Sequence, residues 1–133
     1  MTQMISDEKL NAMFRSMLEE DHCAVVVCDL THTIVYMNPA AAAAQAKHGG
    51  YELVGKNLLN CHDPASQEKI KQVVAWFQES VEHNRVHTFF NQKKDKDGYM
   101  IALRDGDGSL LGYYEKHEYR IKDESPFYGE LGQ

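Results

Sequence analysis

Apolar and polar positions follow three rhythms along this chain, and the rhythms divide it into elements. Leu10, Met13, Phe14, Met17 and Leu18 recur at three- and four-residue spacing, which predicts one apolar stripe on a helix of roughly three to four turns. Ser6, Asp7 and Glu8 ahead of it supply a capping side chain and acids suited to the positive end of that helix. From His22 to Leu30 the pattern becomes short, β-branched and apolar on both faces, the mark of a central strand. A turn at Asp29–His32 and a returning strand, Thr33–Met37, complete a hairpin. Asn38-Pro39 opens a helix over Ala40–Lys47, which Gly49-Gly50 ends.

Short helical or irregular turns follow over Tyr51–Gly55 and Lys56–His62. The helical rhythm then returns over Ser66–Val81, with Ile70, Val73, Val74, Phe77 and Val81 on one face and Trp76 beside the stripe. Asp63 and Ser66 are alternative caps for this helix. The last third alternates as strands: Val86–Asn91, Tyr99–Arg104 and Ser109–Arg120, separated by turns at Lys93–Gly98 and Asp105–Gly108. Residues 121–133 have no period and form a loosely attached tail. Two strand clusters around a helical middle predict an α+β fold: one antiparallel sheet with helices on one face and an extra helix ahead of it.

Composition changes this picture little. The 133 residues suit one domain, with apolar and charged fractions of 43% and 26%. The net charge is −6 and the 14 Lys and Arg are scattered, so no basic stripe for nucleic acid is expected. No run approaches the roughly 18 apolar residues of a membrane span, and the first residues lack the build of a secretory signal. Cys23, Cys28 and Cys61 are odd in number and widely spaced, so reduced thiols in a cytoplasm are expected rather than a disulfide framework.

The chemically versatile pair is Cys61-His62, just ahead of the second long helix. Either side chain can ligate a metal or haem; the plain structural alternative is a small apolar cysteine and a histidine that caps the helix. A structural zinc needs about four ligands, and no C-x-x-C or H-x-x-x-H accompanies the pair, although His22, Cys23 and His117 approach one another if the first and last strands are neighbours. Asp105-Gly-Asp107-Gly-Ser109 fails as a calcium loop because Leu110 and Lys116 stand where glycine and glutamate are required; a hairpin turn explains it. No nucleophile elbow, P-loop or dinucleotide fingerprint is present, and Glu115 and Glu118 point to opposite sides of a strand.

With the elements in this order, the chain resembles the PAS domain family over about residues 22–120. Tyr36-Met37-Asn38-Pro39-Ala40 is similar to its strand-then-Asn helix opening, Tyr51-Glu52-Leu53-Val54-Gly55-Lys56 to its E-L-[IV]-G-[KR] segment, and Arg104–Gly112 to its R-D-x-x-G-x-x-x-G hairpin. Asn60-Cys61-His62-Asp63-Pro64-Ala65-Ser66 resembles the N-C-H-x-P-x-S segment of one bacterial and archaeal subgroup. The resemblance implies a five-stranded sheet with Ala24–Cys28 beside Leu110–Tyr119. It also implies a concave face closed by the Ser66–Val81 helix, and a role in sensing, dimerisation and relay rather than catalysis. Flavin adduct chemistry as in light-sensing relatives is disfavoured, because Leu58 stands where their reactive cysteine follows G-x-N. Ordinary haem ligation is weakened by the absence of histidine from Ser66–Ser80.

The expectation is a stand-alone, non-catalytic cytoplasmic sensory module with its output supplied by an effector protein. Residues 1–20 form a dimerisation helix, 21–120 the domain and 121–133 the tail. Its cavity takes a small apolar or planar ligand, lined by Cys61, His62, Val73, Phe77, Phe89, Ile101 and Leu103, with Phe90, Tyr99, Tyr113, Tyr114 and Tyr119 as further aromatic candidates. The cofactor is left open. Two alternatives stand beside it: a haem- or metal-dependent redox sensor using Cys61 and His62, and a ligand-free interaction module.

Overall fold

A computed structural model describes residues 4–132, so positions 1–3 of the N-terminal segment and 133 of the tail lie outside it. Eight long elements follow in the expected order: α1 (Asp7–Glu20), β1 (Ala24–Asp29), β2 (Ile34–Met37), α2 (Pro39–Ala44), α3 (Pro64–Glu79), β3 (Arg85–Asn91), β4 (Lys96–Arg104) and β5 (Leu110–Tyr119). Three 3-10 turns, at Ala46–His48, Gly50–Leu53 and Leu58–Cys61, fill the stretch between α2 and α3. The strands form one antiparallel sheet in the order β2-β1-β5-β4-β3, so the first and last strands lie side by side in its middle.

Local chemistry sets the helix ends. The side chains of Ser6, Asn38 and Asp63 each accept a backbone N–H of the helix they precede, and Pro39 and Pro64 occupy first helical positions. From α3, Ile70, Val74 and Phe77 enter the core with Met100, Tyr113, Cys28 and Leu58. Each such burial contributes about 1.5–3 kcal/mol against exposure. The helix stops at Glu79, two residues before Val81, which stays exposed.

Arg104 explains that stop. Its guanidinium donates to the carbonyls of Phe77, Ser80 and His83 at the end of α3, to the Gly108 carbonyl at 3.0 Å, and through Nε to Asn84 Oδ1 at 2.8 Å. One planar fork thus satisfies helix-end carbonyls that would otherwise lack donors. His83 stacks on Trp76 with ring centroids 3.9 Å apart. Arg104→Lys, which keeps the charge and loses the fork, is expected to cost about 1–2 kcal/mol in urea unfolding.

The face opposite the helices is thinly covered. Helix α1 touches it through Tyr36, whose hydroxyl donates to Glu19 at 2.6 Å under the Arg15 guanidinium, and through a Lys116–Asp21 ion pair of 3.3 Å. Of the predicted α1 stripe, Leu10 and Leu18 are half-buried, while Met13, Phe14 and Met17 are 53%, 53% and 70% exposed.

Candidate functional site

A cavity of about 540 Å³ lies between the concave face of the sheet and the stretch from α2 to residue 62. Its floor is Ala24 and Val26 of β1 with Glu115 and His117 of β5; Ile34 and Met37 of β2 form one side. Ala41, Ala44, Gln45 and His48 close it from α2 and the turn after it. Leu53, Leu58, Asn60, Cys61 and His62 complete the roof, and Phe89 stands at the far edge.

The roof segment is fixed at both ends. Leu58 is buried and its N–H donates to the His32 carbonyl at 2.7 Å; the Asn57 side chain caps the next turn through Leu59 N–H at 2.9 Å. Past it, Asp63 accepts from Ser66 N–H at 2.7 Å, and Gln67 Nε2 donates to the His62 carbonyl at 2.9 Å. Asp63 therefore caps α3, which leaves the His62 ring free to border the cavity. Burial holds the His62 imidazole below its usual pKa, against the opposing charge of Asp63. Cys61 is exposed along the same wall.

The floor carries two titratable groups that alternation along β5 places on one face. Glu115 is paired in register with Val26 on one side and Met100 on the other. Among the described residues its carboxyl makes no hydrogen bond or ion pair, and burial pushes its pKa up to about 7. His117 is pushed down to about 4 by burial, then by the charge of Lys96 and the nearby His62. Phe89 meets the His117 ring edge-on at 5.2 Å and lies across Gly98, where any Cβ would come within 2.1 Å of the phenyl ring. Deeper in the sheet, Cys28 is buried with its thiol pushed up to about 12, and Tyr113 donates to or accepts from His32 Nδ1 at 2.8 Å.

Of the seven residues expected to line the cavity, Cys61, His62 and Phe89 do so. Phe77, fully buried, and Val73 pack in the core beside the cavity without bordering it. The cavity is thus closed by α2 and the 3-10 turns rather than by α3, a correction to the expected lid. Ile101 and Leu103 need a second correction. They pair with Tyr114 and Gly112 on the opposite face, whereas Met100 and Ala102 face the helices. Glu115, His117, Gln45, His48 and Asn60 went unremarked as lining residues. The signal for two of them was the series Tyr113, Glu115, His117, Tyr119, which shares one face of a strand. Among the described residues no group of three or more His, Cys, Asp or Glu is placed to hold a metal ion. Asp105 Oδ1 accepts from the N–H groups of Asp107 and Ser109, as a hairpin turn requires.

No protein-family model matches the sequence, and no curated protein matches it. Solved structures do match the fold. The C-terminal domain of a Streptococcus mutans protein is similar at 21% identity and TM-score 0.64, covering 90% of this chain and 92% of that one. A PAS domain from Colwellia psychrerythraea is similar at 13% identity and TM-score 0.61, covering 84% and 97%. A receptor from Vibrio cholerae described as a dual PAS–haem oxygen sensor is similar at 22% identity and TM-score 0.53, covering 74% and 95%. The chain has the PAS fold: a five-stranded antiparallel sheet with its helices on one face and an added N-terminal helix. At these identities the likeness does not extend to the subgroup with the N-C-H-x-P-x-S segment.

Proposed function

We propose that this chain is a non-catalytic sensory module that binds a small apolar or planar ligand in the cavity under residues 58–62. The observation that carries the reading is the cavity itself. Its walls are mostly apolar, and a few polar groups, Glu115, His117 and His62 among them, converge on one space. Cys61, His62 and Phe89 are the ligand-facing residues retained from the sequence reading. Occupancy would be relayed through contacts of a homodimer or an effector protein in the cytoplasm. The uncovered Met13, Phe14 and Met17 of α1 support a partner on that helix, and residues 1–20 are accordingly read as the dimerisation segment, with 121–133 as the tail. Among the described residues no helix is long and apolar enough to cross a membrane.

Native mass spectrometry of freshly purified protein, with its absorption spectrum, tests the reading. A retained small molecule, or a cavity that takes one on titration, is the expected result; a chain that takes up none of a panel of small aromatics overturns it and favours the ligand-free interaction module. Sedimentation of Phe14→Glu/Met17→Glu checks the relay surface: dissociation of a dimer is expected, and an unchanged dimer removes α1 from it. That pair is better than truncation, because the Leu18 carbonyl is needed by the fold.

A second reading is favoured by one observation. His62 and His117, both held toward the neutral form that ligates, border the same cavity. Either imidazole, or the Cys61 thiol, would hold a haem iron, and the haem would supply redox and diatomic-gas chemistry. A Soret band after haemin addition that His62→Ala or His117→Ala shifts would carry this reading; an unaltered free-haemin spectrum would end it.

A further inference from the structure

We infer that the cavity is selective for a ligand carrying a basic nitrogen on a small planar body, with Glu115 as the counter-charge. This deepens, and rests on, the ligand-binding reading. The inference stands on placement. Glu115 lies mid-strand on β5, the central strand of the sheet, beneath the roof residues. It is the one carboxylate among the cavity-lining residues, and neither Lys nor Arg is among them. Asp97, a buried carboxylate, shows what this protein does with such a group when it is structural: Arg120 and His87 both bond it, whereas Glu115 is half-buried. Glu115 has no such partner among the described residues, yet none of its oxygens is sealed off, because no buried side-chain oxygen in the described residues lacks a partner. Its oxygens are therefore open to the cavity, in a space where an isolated charge is costly to keep.

A ligand cation fits that arrangement better than the other ligand classes do. An anion would meet the carboxylate with no Lys or Arg in the lining to offset it. A purely apolar molecule would fill the walls of Ala24, Val26, Leu53 and Leu58 and leave Glu115 without a partner. An amidinium or protonated heteroaromatic amine satisfies both parts, donating to Glu115 while its ring lies on the apolar wall, with His117 as a neutral neighbour. The ionisable side chains around Glu115 are Cys28 on β1 and Tyr113 on β5, both pushed up by burial, His117 on β5, and His62 in the roof, with the Cys61 thiol beside it. His48 faces the same space from the turn after α2; Lys96 on β4 acts on His117. Among the lining residues Glu115 alone is acidic; Asp63, which follows the roof and acts on His62, is committed to capping α3.

The test uses the full chain and three phenyl probes of similar size, benzamidinium, benzoate and the neutral benzyl alcohol, titrated by ligand-observed NMR and calorimetry at pH 6 and pH 8. Benzamidinium should bind tightest, and its affinity should rise about ten-fold from pH 6 to pH 8 as Glu115 ionises. Benzyl alcohol should bind weakly and equally at both. Glu115→Gln, shown folded by near-UV circular dichroism, should lose at least ten-fold in benzamidinium affinity together with the pH dependence, and keep benzyl alcohol. Should benzyl alcohol bind while benzamidinium is no tighter at pH 8, or while the Gln variant binds benzamidinium as well as the parent, the cationic preference fails and the cavity reading survives. If benzoate binds best and tightens toward pH 6, Glu115 serves as a protonated donor and the inference is wrong. If no probe binds at either pH, the cavity reading falls and takes this inference with it.

Discussion

Asn38→Ala should lower stability by about 3 kcal/mol, the largest loss expected from any single side chain outside the apolar core. Asn38 is fully buried, with 0% exposure, and its short amide joins three separate elements. The Oδ1 atom accepts from Val25 N–H of β1 at 2.9 Å and from Ala41 N–H of α2 at 3.0 Å. The Nδ2 group donates to the Leu18 carbonyl of α1 at 3.0 Å and the Cys23 carbonyl at 2.9 Å, with a longer contact to Asp21. Loss of the cap on α2 alone costs about 1 kcal/mol. The rest comes from the Val25 N–H and the Cys23 carbonyl, each losing its amide partner in a dry place at about 1 kcal/mol, while the Leu18 carbonyl keeps the Asp21 N–H at 3.3 Å.

The informative control is Asn38→Asp. Aspartate caps a helix as well as asparagine does, so a residue acting only as the cap of α2 would tolerate it. Here the second carboxylate oxygen would face the carbonyls of Leu18 and Cys23, acceptor against acceptor, and the charge would be buried. Asp should therefore destabilise at pH 7 at least as much as Ala. Urea unfolding decides it: a near-parental midpoint for Asp would confine the role of Asn38 to the helix cap, and a loss like that of Ala confirms the three-way tie.

The element order was legible because periodicity reports burial of a face, and most faces here are buried once. What periodicity does not report is which face. On β4 the alternation sets Ile101 and Leu103 apart from Met100 and Ala102 without saying which pair meets the helices, and the expected lining named the pair on the opposite face. The β4–β5 register, with Met100 opposite Glu115, decides it. The start of β4 at Lys96 rather than Tyr99 was hidden by Asp95, a non-glycine residue at φ 47 that tightens the hairpin without a glycine signal. The roof of the cavity had no rhythm to read. It is three single 3-10 turns, of which only Leu58–Cys61 has a side-chain cap, from Asn57, and backbone bonds tie the stretch to the β1–β2 hairpin, among them Ile34 N–H to the Lys56 carbonyl at 2.9 Å. Long helix α3, with the strongest pattern of the middle region, was instead spent on the core through Ile70, Val74 and Phe77. Glu115 and His117 share a strand face with Tyr113 and Tyr119, and the resemblance already set β5 beside β1, its place at the sheet's centre in the structure; what hid them is that a charged residue on a strand is ordinarily solvent-facing.

That central position leads to the second large effect, a pH response hidden in the parent protein and visible in two variants. Glu115 has a folded pKa of about 7 against an ordinary 4.5. The folded state thus binds more protons than the unfolded one between those values, and stability contributed by this group falls as pH rises through that window. His117 is displaced the other way, to about 4 from 6.5. The unfolded state there binds more protons, so its contribution rises as pH increases from 4 to 6.5, and His62, also lowered, adds in the same direction. The windows overlap and the slopes oppose, so the two floor residues nearly cancel in the parent. Each alone is worth up to about 3 kcal/mol by linkage, less where water reaches the cavity. Glu115→Gln should therefore be more stable than the parent at pH 8 by about 2–3 kcal/mol, with a stability difference that shrinks toward pH 4.5. His117→Gln should show the mirror image: its advantage over the parent grows as pH falls below 6.5 and vanishes above it. Urea unfolding of the three proteins from pH 4.5 to 8.5 isolates these differences, because every other titrating group is common to all three. Parallel pH profiles for Glu115→Gln and the parent would mean that the carboxyl is solvated in the folded state, and with it would go the counter-charge that the cavity offers a basic ligand.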